Sequence, residues 1–484
     1  MDCTRDTSPA MQRLEERLNS LAQDPPPAEL TLKTCLNLRA DLADLLVRRR
    51  PELEAAGLLL RPYRLLAETG AALQSPADSD PASPAALAAA LLPIPGQWAR
   101  LNALQDAGPN RALQHFLRDE AGRVQTKAAK KFRKARQSGK HHKPWNFLQI
   151  LKPPVSEQEK GVLRVFSMPY LLADARLVRR LGRDWVLLVE PAAGVNLRHD
   201  WMRAFLRAEA APVFGVVGPE DAAFLRTQGC RVVNLAHSDY LPEDQDVPLG
   251  GPKRFDLLLV GLYDEMERKR HGLLLDLLLT PRLAATRALV LGRGAKESFA
   301  RFQAMVSGRG LGDRVTARAN LERRQVPALI DACRLSLNLS LHENGCRAIA
   351  ESLRSDVPVA VSACAAGVNF EQITPRTGVA ASDPDLPDAI AEALARLDRF
   401  TPRQWFLQRS GSANSSRELN RRLQAIFEDQ GMDWTRDIVG LTSSGAHRHA
   451  DPDALRRLLP HYRALAATLA AEPGFGLPLE CPEV

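Results

Sequence analysis

Apolar residues in the first part of the chain recur at three- and four-residue intervals. Leu14, Leu18 and Leu21 share one helical face, and Leu38, Leu42 and Leu45 share another, the period of amphipathic helices. The pattern continues to about residue 74 with no β-rich run. DPPP at 24–27 separates two of these helices, because proline denies the helix its N–H donors. SPADSDPASP at 75–84 reads as a polar linker.

From about residue 160 the pattern changes to short apolar runs alternating with helical segments. VLRVFSMP (162–169), DWVLLVEP (184–191), APVFGVVG (211–218) and CRVVNLAH (230–237) have the composition of buried strands, and HDWMRAFLRAEA between them reads as a helix. After the GGPKR loop at 250–254 a second series follows: FDLLLVG, RALVLGRG, DRVTAR, LSLNLS and VPVAVS. Strand and helix in alternation imply parallel sheets covered on both faces. The fold class expected is α/β, with two Rossmann-like doubly wound domains preceded by an α-helical N-terminal region. The segments expected are 1–84 (helical region and linker), 85–250 (first Rossmann-like domain), 251–400 (second Rossmann-like domain) and 401–484 (C-terminal helical region). Ligands of such sheets bind at the C-terminal ends of the strands.

Length and composition agree with this division. The chain has 484 residues and 45% hydrophobic content, enough for two or three cores. The N-terminal MDCTRDTSPAMQRLEE lacks a basic stretch followed by an apolar one, and no eighteen apolar residues run together, so a cytoplasmic protein is expected. Seven cysteines without a C-x-x-C pair suggest reduced thiols and neither a disulfide framework nor a zinc site.

The formal charge of +8 comes from 65 basic and 57 acidic residues, unevenly distributed. QTKAAKKFRKARQSGKHHK, residues 125–143, holds no acidic residue. Lys127, Lys130, Lys131 and Lys134 would share one face of a helix there. Such a segment attracts phosphates of an anionic membrane surface, a nucleotide or a nucleic acid. Nucleic acid is disfavoured because no reading motif accompanies the charge.

The chemistry concentrates in HENGCRAIAE, residues 342–351, which sets Glu343 before an Asn-Gly turn and Glu351 inside an apolar helical run. Asn344, Gly345 and Cys346 would present backbone N–H groups at a helix start, suited to a diphosphate. A residue two turns further on lies roughly 10 Å along the axis, a distance that a nucleoside can span. No nucleophile elbow, H-E-x-x-H or P-loop occurs, and the single His-Glu pair of HENG gives no zinc site.

These residues, with VGLYDEMERKRHGLLLDLLL before them, then LVLGRGAK, then the run from GDRVTARAN to VPVAVS and a later GVAASDPD, resemble in order and spacing the C-terminal half of GT-B glycosyltransferases of the retaining family 4 type. The resemblance spans residues 255–397. It implies that Glu343 and Glu351 are the E-x7-E pair, Glu343 beside the donor sugar and Glu351 on the donor ribose. It also implies a strand ending at Gly261, followed by an Arg and later a Lys on the donor phosphates. Lys269 takes the second role, whereas Leu262 stands where the Arg is expected and cannot bind phosphate. Arg268 and Arg270 of the same loop are candidates to replace it. Gly292 and Gly294 of GRG resemble the turn near the nucleotide, and ARAN at 317–320 falls where the base is read through the main chain. In the first array, Glu190 at a strand end and His199 shortly after are offered for the family's N-terminal histidine site. His199 serves equally well as a helix cap.

The function expected is metal-independent, retaining transfer of a sugar from a nucleotide-sugar co-substrate to a glycan, protein or lipid-linked acceptor, with no further cofactor. Docking of residues 125–143 would place the enzyme at the membrane periphery. The alternatives are a nucleotide-sugar-binding scaffold that has lost turnover, motivated by Leu262, and a nucleic-acid-binding protein acting through residues 125–143.

Overall fold

The computed structural model describes residues 8–21, 31–73, 83–106, 113–118, 122, 147–166, 172–191, 194–195, 197, 199–244, 250–442 and 449–471. The basic segment 125–143 lies outside the described residues, as does most of the polar linker. The chain forms two compact units that do not follow chain order. Met1–Leu46, Leu60–Ala236 and Ser416–Val484 make the first, and Val47–Leu59 with His237–Ser415 make the second.

In the first unit the helices Pro9–Leu21 and Leu32–Ala43 and the π-helical turn Asp44–Arg48 bury the leucine faces read from the periodicity, Leu45 lying in the turn, with Met11 and Cys35 added to them. Among the described residues five strands form its sheet: β1 (Leu148–Lys152), β2 (Gly161–Phe166), β3 (Trp185–Glu190), β4 (Val213–Gly215) and β5 (Arg231–Val233). They lie in chain order, β1 antiparallel to β2 and the rest parallel, so this sheet has no reversal of strand order. HDWMRAFLRAEA forms a 3-10 helix, Asp200–Arg207, whose first carboxylate pairs with Arg39.

The C-terminal region completes this unit. The Ile150 N–H donates to the Tyr462 hydroxyl at 3.0 Å. Lys152 is fully buried against Glu159 at 2.7 Å, under the rings of Trp434 and Phe427 at 4.1 and 4.6 Å. Burial alone would raise the Glu159 pKa, but the Lys152 ammonium and the Thr435 N–H and hydroxyl bring it down to about 2. Glu159 therefore stays ionised, whereas burial outweighs the pull of Glu159 and Asp437 and draws the Lys152 ammonium below its usual range; an unmatched charge here would be very costly.

The second unit contains β6 (Phe255–Val260), β7 (Ala288–Gly292), β8 (Val315–Ala319), β9 (Cys333–Asn338), β10 (Val359–Ser362) and β11 (Gly378–Ala381). All pairs are parallel, in the order β11-β10-β9-β6-β7-β8. Alternate residues face opposite sides. Leu257, Leu259, Leu335 and Leu337 join one core with Leu274, Phe302 and Ile390, while Leu258, Leu289 and Leu291 join another with Ile330 and Val357. Burial on both faces explains why these strands read as near-continuous apolar runs. The strand order reverses between β6 and β9. Crevices at such a reversal, beyond the C-terminal strand ends, are where doubly wound sheets hold ligands.

Candidate functional site

The two loops at this reversal carry the candidate residues. After β6 the chain passes Gly261 and Leu262, makes a 3-10 turn at Tyr263–Glu265 and a one-turn helix Met266–Lys269, and then enters helix His271–Leu278. Arg270 links the two helices at φ +54°, a left-handed conformation unusual for a side chain of this size. After β9 the chain runs through Ser340–Cys346 into helix Arg347–Arg354. The Leu341 N–H donates to the Arg268 carbonyl at 2.9 Å, and the Arg268 guanidinium donates to the His342 carbonyl at 2.8 Å. The loops are therefore joined through main chain and side chain alike.

Joining them brings Lys269 and Glu343 into a direct ion pair, each side chain only 12% exposed. Arg268 lies 3.4 Å from the same carboxylate and also pairs with Glu265. Two cations thus converge on one carboxylate at the strand-order reversal, an arrangement that can take an anion in place of the carboxylate. Leu262 is exposed and contributes no charge. The Arg270 guanidinium pairs with Asp383, with Ser362 Oγ at 3.4 Å and Cys364 Sγ at 3.3 Å.

The helix start differs in one respect from the sequence reading. Gly345 adopts φ +67°, but its N–H donates to the Gly367 carbonyl at 3.1 Å, and the Glu343 N–H donates to Ala366 at 2.7 Å. The Gly345 amide is therefore not available to a phosphate, because a parallel bridge between His342 and Ala366 has already used this edge of the loop. Gly367 is required for the bridge: at φ +71° any Cβ would sit 1.8 Å from the Glu343 carbonyl oxygen. Cys346 precedes the helix without a side-chain cap, its thiol buried and accepting from Asn338 Nδ2. Burial, reinforced by the Glu343 charge, pushes that thiol up to about 11, so it is inert packing and not a nucleophile.

Glu351 is mostly buried and accepts from Arg347 Nε at 2.7 Å, with Arg323 at 3.8 Å. These two arginines were not singled out from the sequence, although Arg347 and Glu351 have the four-residue spacing of a helical ion pair. Gly292 packs so tightly that a Cβ would lie 2.0 Å from the Gly261 carbonyl oxygen, which fixes the ends of β6 and β7 together. The main chain of Gly294 is gripped by the Asn320 amide, N–H to Oδ1 at 3.2 Å and carbonyl to Nδ2 at 3.0 Å. Beneath this loop the ring of His271 is fully buried between Tyr263 and Phe302. Burial, with the Lys269 charge adding to it against the pull of the Met266 and Gly261 backbones, lowers its pKa to about 4, leaving it neutral at ordinary pH.

In the first unit, Glu190 accepts two 2.7 Å hydrogen bonds from buried Arg164. His199 precedes the 3-10 helix without capping it, its ring 5.5 Å from Trp201, and shares no element with Lys269 or Glu343. Among the described residues no three His, Cys, Asp or Glu side chains gather as a metal site, and no helix is long and apolar enough to cross a membrane.

Residues 254–399 match the family model of the Glycosyl transferases group 1. The match takes in all six strands of the second sheet and both loops that carry Lys269 and Glu343. Among solved structures, the chain is similar to HepE of Anabaena in complex with UDP, with a TM-score of 0.45, 14% identity and coverage of 56% of this chain and 79% of that one. It is also similar to sucrose-phosphate synthase from Thermosynechococcus elongatus (TM-score 0.41, 16% identity, 53% and 72% coverage). A third is the lipopolysaccharide outer core galactosyltransferase WaaB (TM-score 0.42, 14% identity, 55% and 75% coverage). No curated protein matches the sequence.

Proposed function

We propose that the second unit binds a nucleotide-sugar donor at its strand-order reversal and that the protein transfers the sugar, with retention of configuration, to a separate acceptor. The observation that carries this reading is the convergence of Lys269 and Arg268 on Glu343, at the reversal of a six-stranded parallel sheet inside the segment that matches the glycosyl transferases. A diphosphate carries more negative charge than the single carboxylate it displaces. Lys269 and Arg268 then meet the charge that grows on the leaving group, and preorganised cations of this kind are worth most where water is excluded. The reading gives no role to a metal ion. Glu343, released from Lys269, turns to the sugar, and Glu351, placed by Arg347, accepts from the ribose hydroxyls. The Gly292–Gly294 turn flanks the nucleoside.

The test is a panel of UDP-, GDP- and ADP-sugars, read first by thermal shift and then by release of free nucleotide with and without candidate acceptors. A ligand at one hundred times its Kd stabilises the native state by about 2.7 kcal/mol. No shift with any member of the panel overturns the donor-site reading. A second reading, a donor-binding protein with little turnover, draws on exposed Leu262 and on Arg270 being held by Asp383. Binding without nucleotide release would select it.

A further inference from the structure

The second unit includes a piece of the N-terminal helical region, Val47–Leu59, far in sequence from the segment that matches the glycosyl transferases. It contributes Arg50, the first residue of helix Arg50–Ala55 and only 1% exposed. A guanidinium so deeply buried is tolerated only where it is hydrogen-bonded. Its Nε donates to the Cys364 carbonyl at 2.6 Å.

Cys364 opens the loop that runs beside the Glu343 loop. Within four residues this loop makes three main-chain hydrogen bonds to it. The Ala366 N–H donates to Leu341 at 2.9 Å, the Ala366 carbonyl accepts from Glu343 at 2.7 Å, and the Gly367 carbonyl accepts from Gly345 at 3.1 Å. From the other side, Arg270 reaches the Cys364 thiol at 3.3 Å, and Asp383, its ion-pair partner, accepts from Ser362 Oγ at 2.6 Å. The Cys364–Gly367 loop is thus anchored at its start by two arginines and applied along its length to the backbone that aims Glu343. One arginine, Arg270, is next to Lys269 in sequence; the other arrives from the N-terminal region.

We propose that Arg50 is a positioning residue for Glu343, acting through the Cys364 carbonyl and the Ala366–Gly367 backbone. The N-terminal region therefore completes the carboxylate side of the crevice. The consequence for sugar transfer rests on the donor-site reading above; the brace itself does not. Lysine would keep the charge but lacks the rigid planar fork, so it should restore the brace only in part.

The test is residue-resolved amide hydrogen exchange on the full chain without ligand, for the parent, Arg50→Leu, Arg50→Lys and Gly367→Ala. Arg50→Leu should speed exchange at Glu343 and Gly345 by roughly tenfold or more, while amides of β6 and β7 keep their protection, the signature of a local opening. Arg50→Lys should fall between parent and Arg50→Leu, and Gly367→Ala should open the same two amides from the opposite side. Unchanged protection at Glu343 and Gly345 in Arg50→Leu overturns the proposal, as does an equal loss across β6 and β7. Should Arg50→Leu fail to fold, Arg50→Lys is judged by the same two criteria. Failure of the donor-site reading shows separately, as a parent protein that binds no nucleotide sugar whatever the exchange pattern.

Discussion

Lys269 and Glu343 neutralise each other in the ligand-free protein, so removing one or the other should change diphosphate affinity in opposite directions. Lys269→Ala deletes an ammonium assigned to phosphate. A charged hydrogen bond of this kind contributes about 1.5 to 3 kcal/mol, roughly 10- to 150-fold in the Kd of a nucleoside diphosphate, with little change for the nucleoside alone. Glu343→Gln instead removes the carboxylate that a diphosphate must displace. Arg268 stays at the site and solvent reaches the pair, so we take about 1 kcal/mol, the top of the range for solvent-reachable pairs. That corresponds to a gain of roughly fivefold for the diphosphate, accompanied by a loss of turnover because Glu343 is assigned to the sugar. Each variant removes one partner of this pair while Arg268 remains beside the site, and ligand-free stability should fall modestly in both. Affinity is therefore read by isothermal titration with UDP, GDP, ADP and their nucleosides, with thermal shift as a fold control. If Glu343→Gln weakens diphosphate binding as much as Lys269→Ala does, Glu343 is not the competitor of phosphate. If Lys269→Ala weakens nucleoside and diphosphate equally, Lys269 does not meet the phosphates.

The second sheet was legible in the sequence because burial on both faces leaves uninterrupted Leu and Val runs. β1 was not, since LQILK places Gln149 and Lys152 in a fully buried strand, and Lys152 is at home there only through Glu159 and two aromatic rings supplied from residue 427 onward. The 3-10 helix at Asp200–Arg207 has the apolar spacing of an α-helix, and periodicity does not separate the two. At the site, Lys269 and Glu343 were legible as residue types at family spacings, whereas their contact depends on β6 and β9 being neighbours. The occupied Gly345 amide and the commitment of Arg270 to Asp383 arise from the loops after β10 and β11, which no local pattern around HENGCRAIAE reveals. Arg50 meets Cys364 across 314 positions and left no trace in the pattern.

Leu262→Arg should tighten diphosphate binding with little change in stability, because Leu262 is exposed. Titration decides it, and unchanged affinity would show that the loop does not aim this position at phosphate. Glu351→Ala should weaken nucleoside and diphosphate alike, by about 1.5 to 3 kcal/mol; a loss confined to the diphosphate would move Glu351 away from the ribose. The last prediction concerns acid. His271 titrates at about 4 in the folded protein against an ordinary 6.5, so between these values the unfolded chain holds the extra proton and stability falls as pH falls. The contribution is intact above about pH 6.5 and lost by about pH 4, where the deficit approaches roughly 3 kcal/mol. His271→Phe keeps a ring between Tyr263 and Phe302 and removes the titration. Urea unfolding of the second unit at pH 7, 5.5 and 4.5 should therefore show the parent losing stability more steeply than the variant. The Glu159 carboxylate of the first unit, depressed to about 2, releases its own contribution only below about pH 4.5, so probes placed in the two units separate the windows. Parallel curves for parent and His271→Phe between pH 7 and 4.5 would mean that His271 is protonated in place, with the carbonyls of Gly261 and Met266 outweighing its burial.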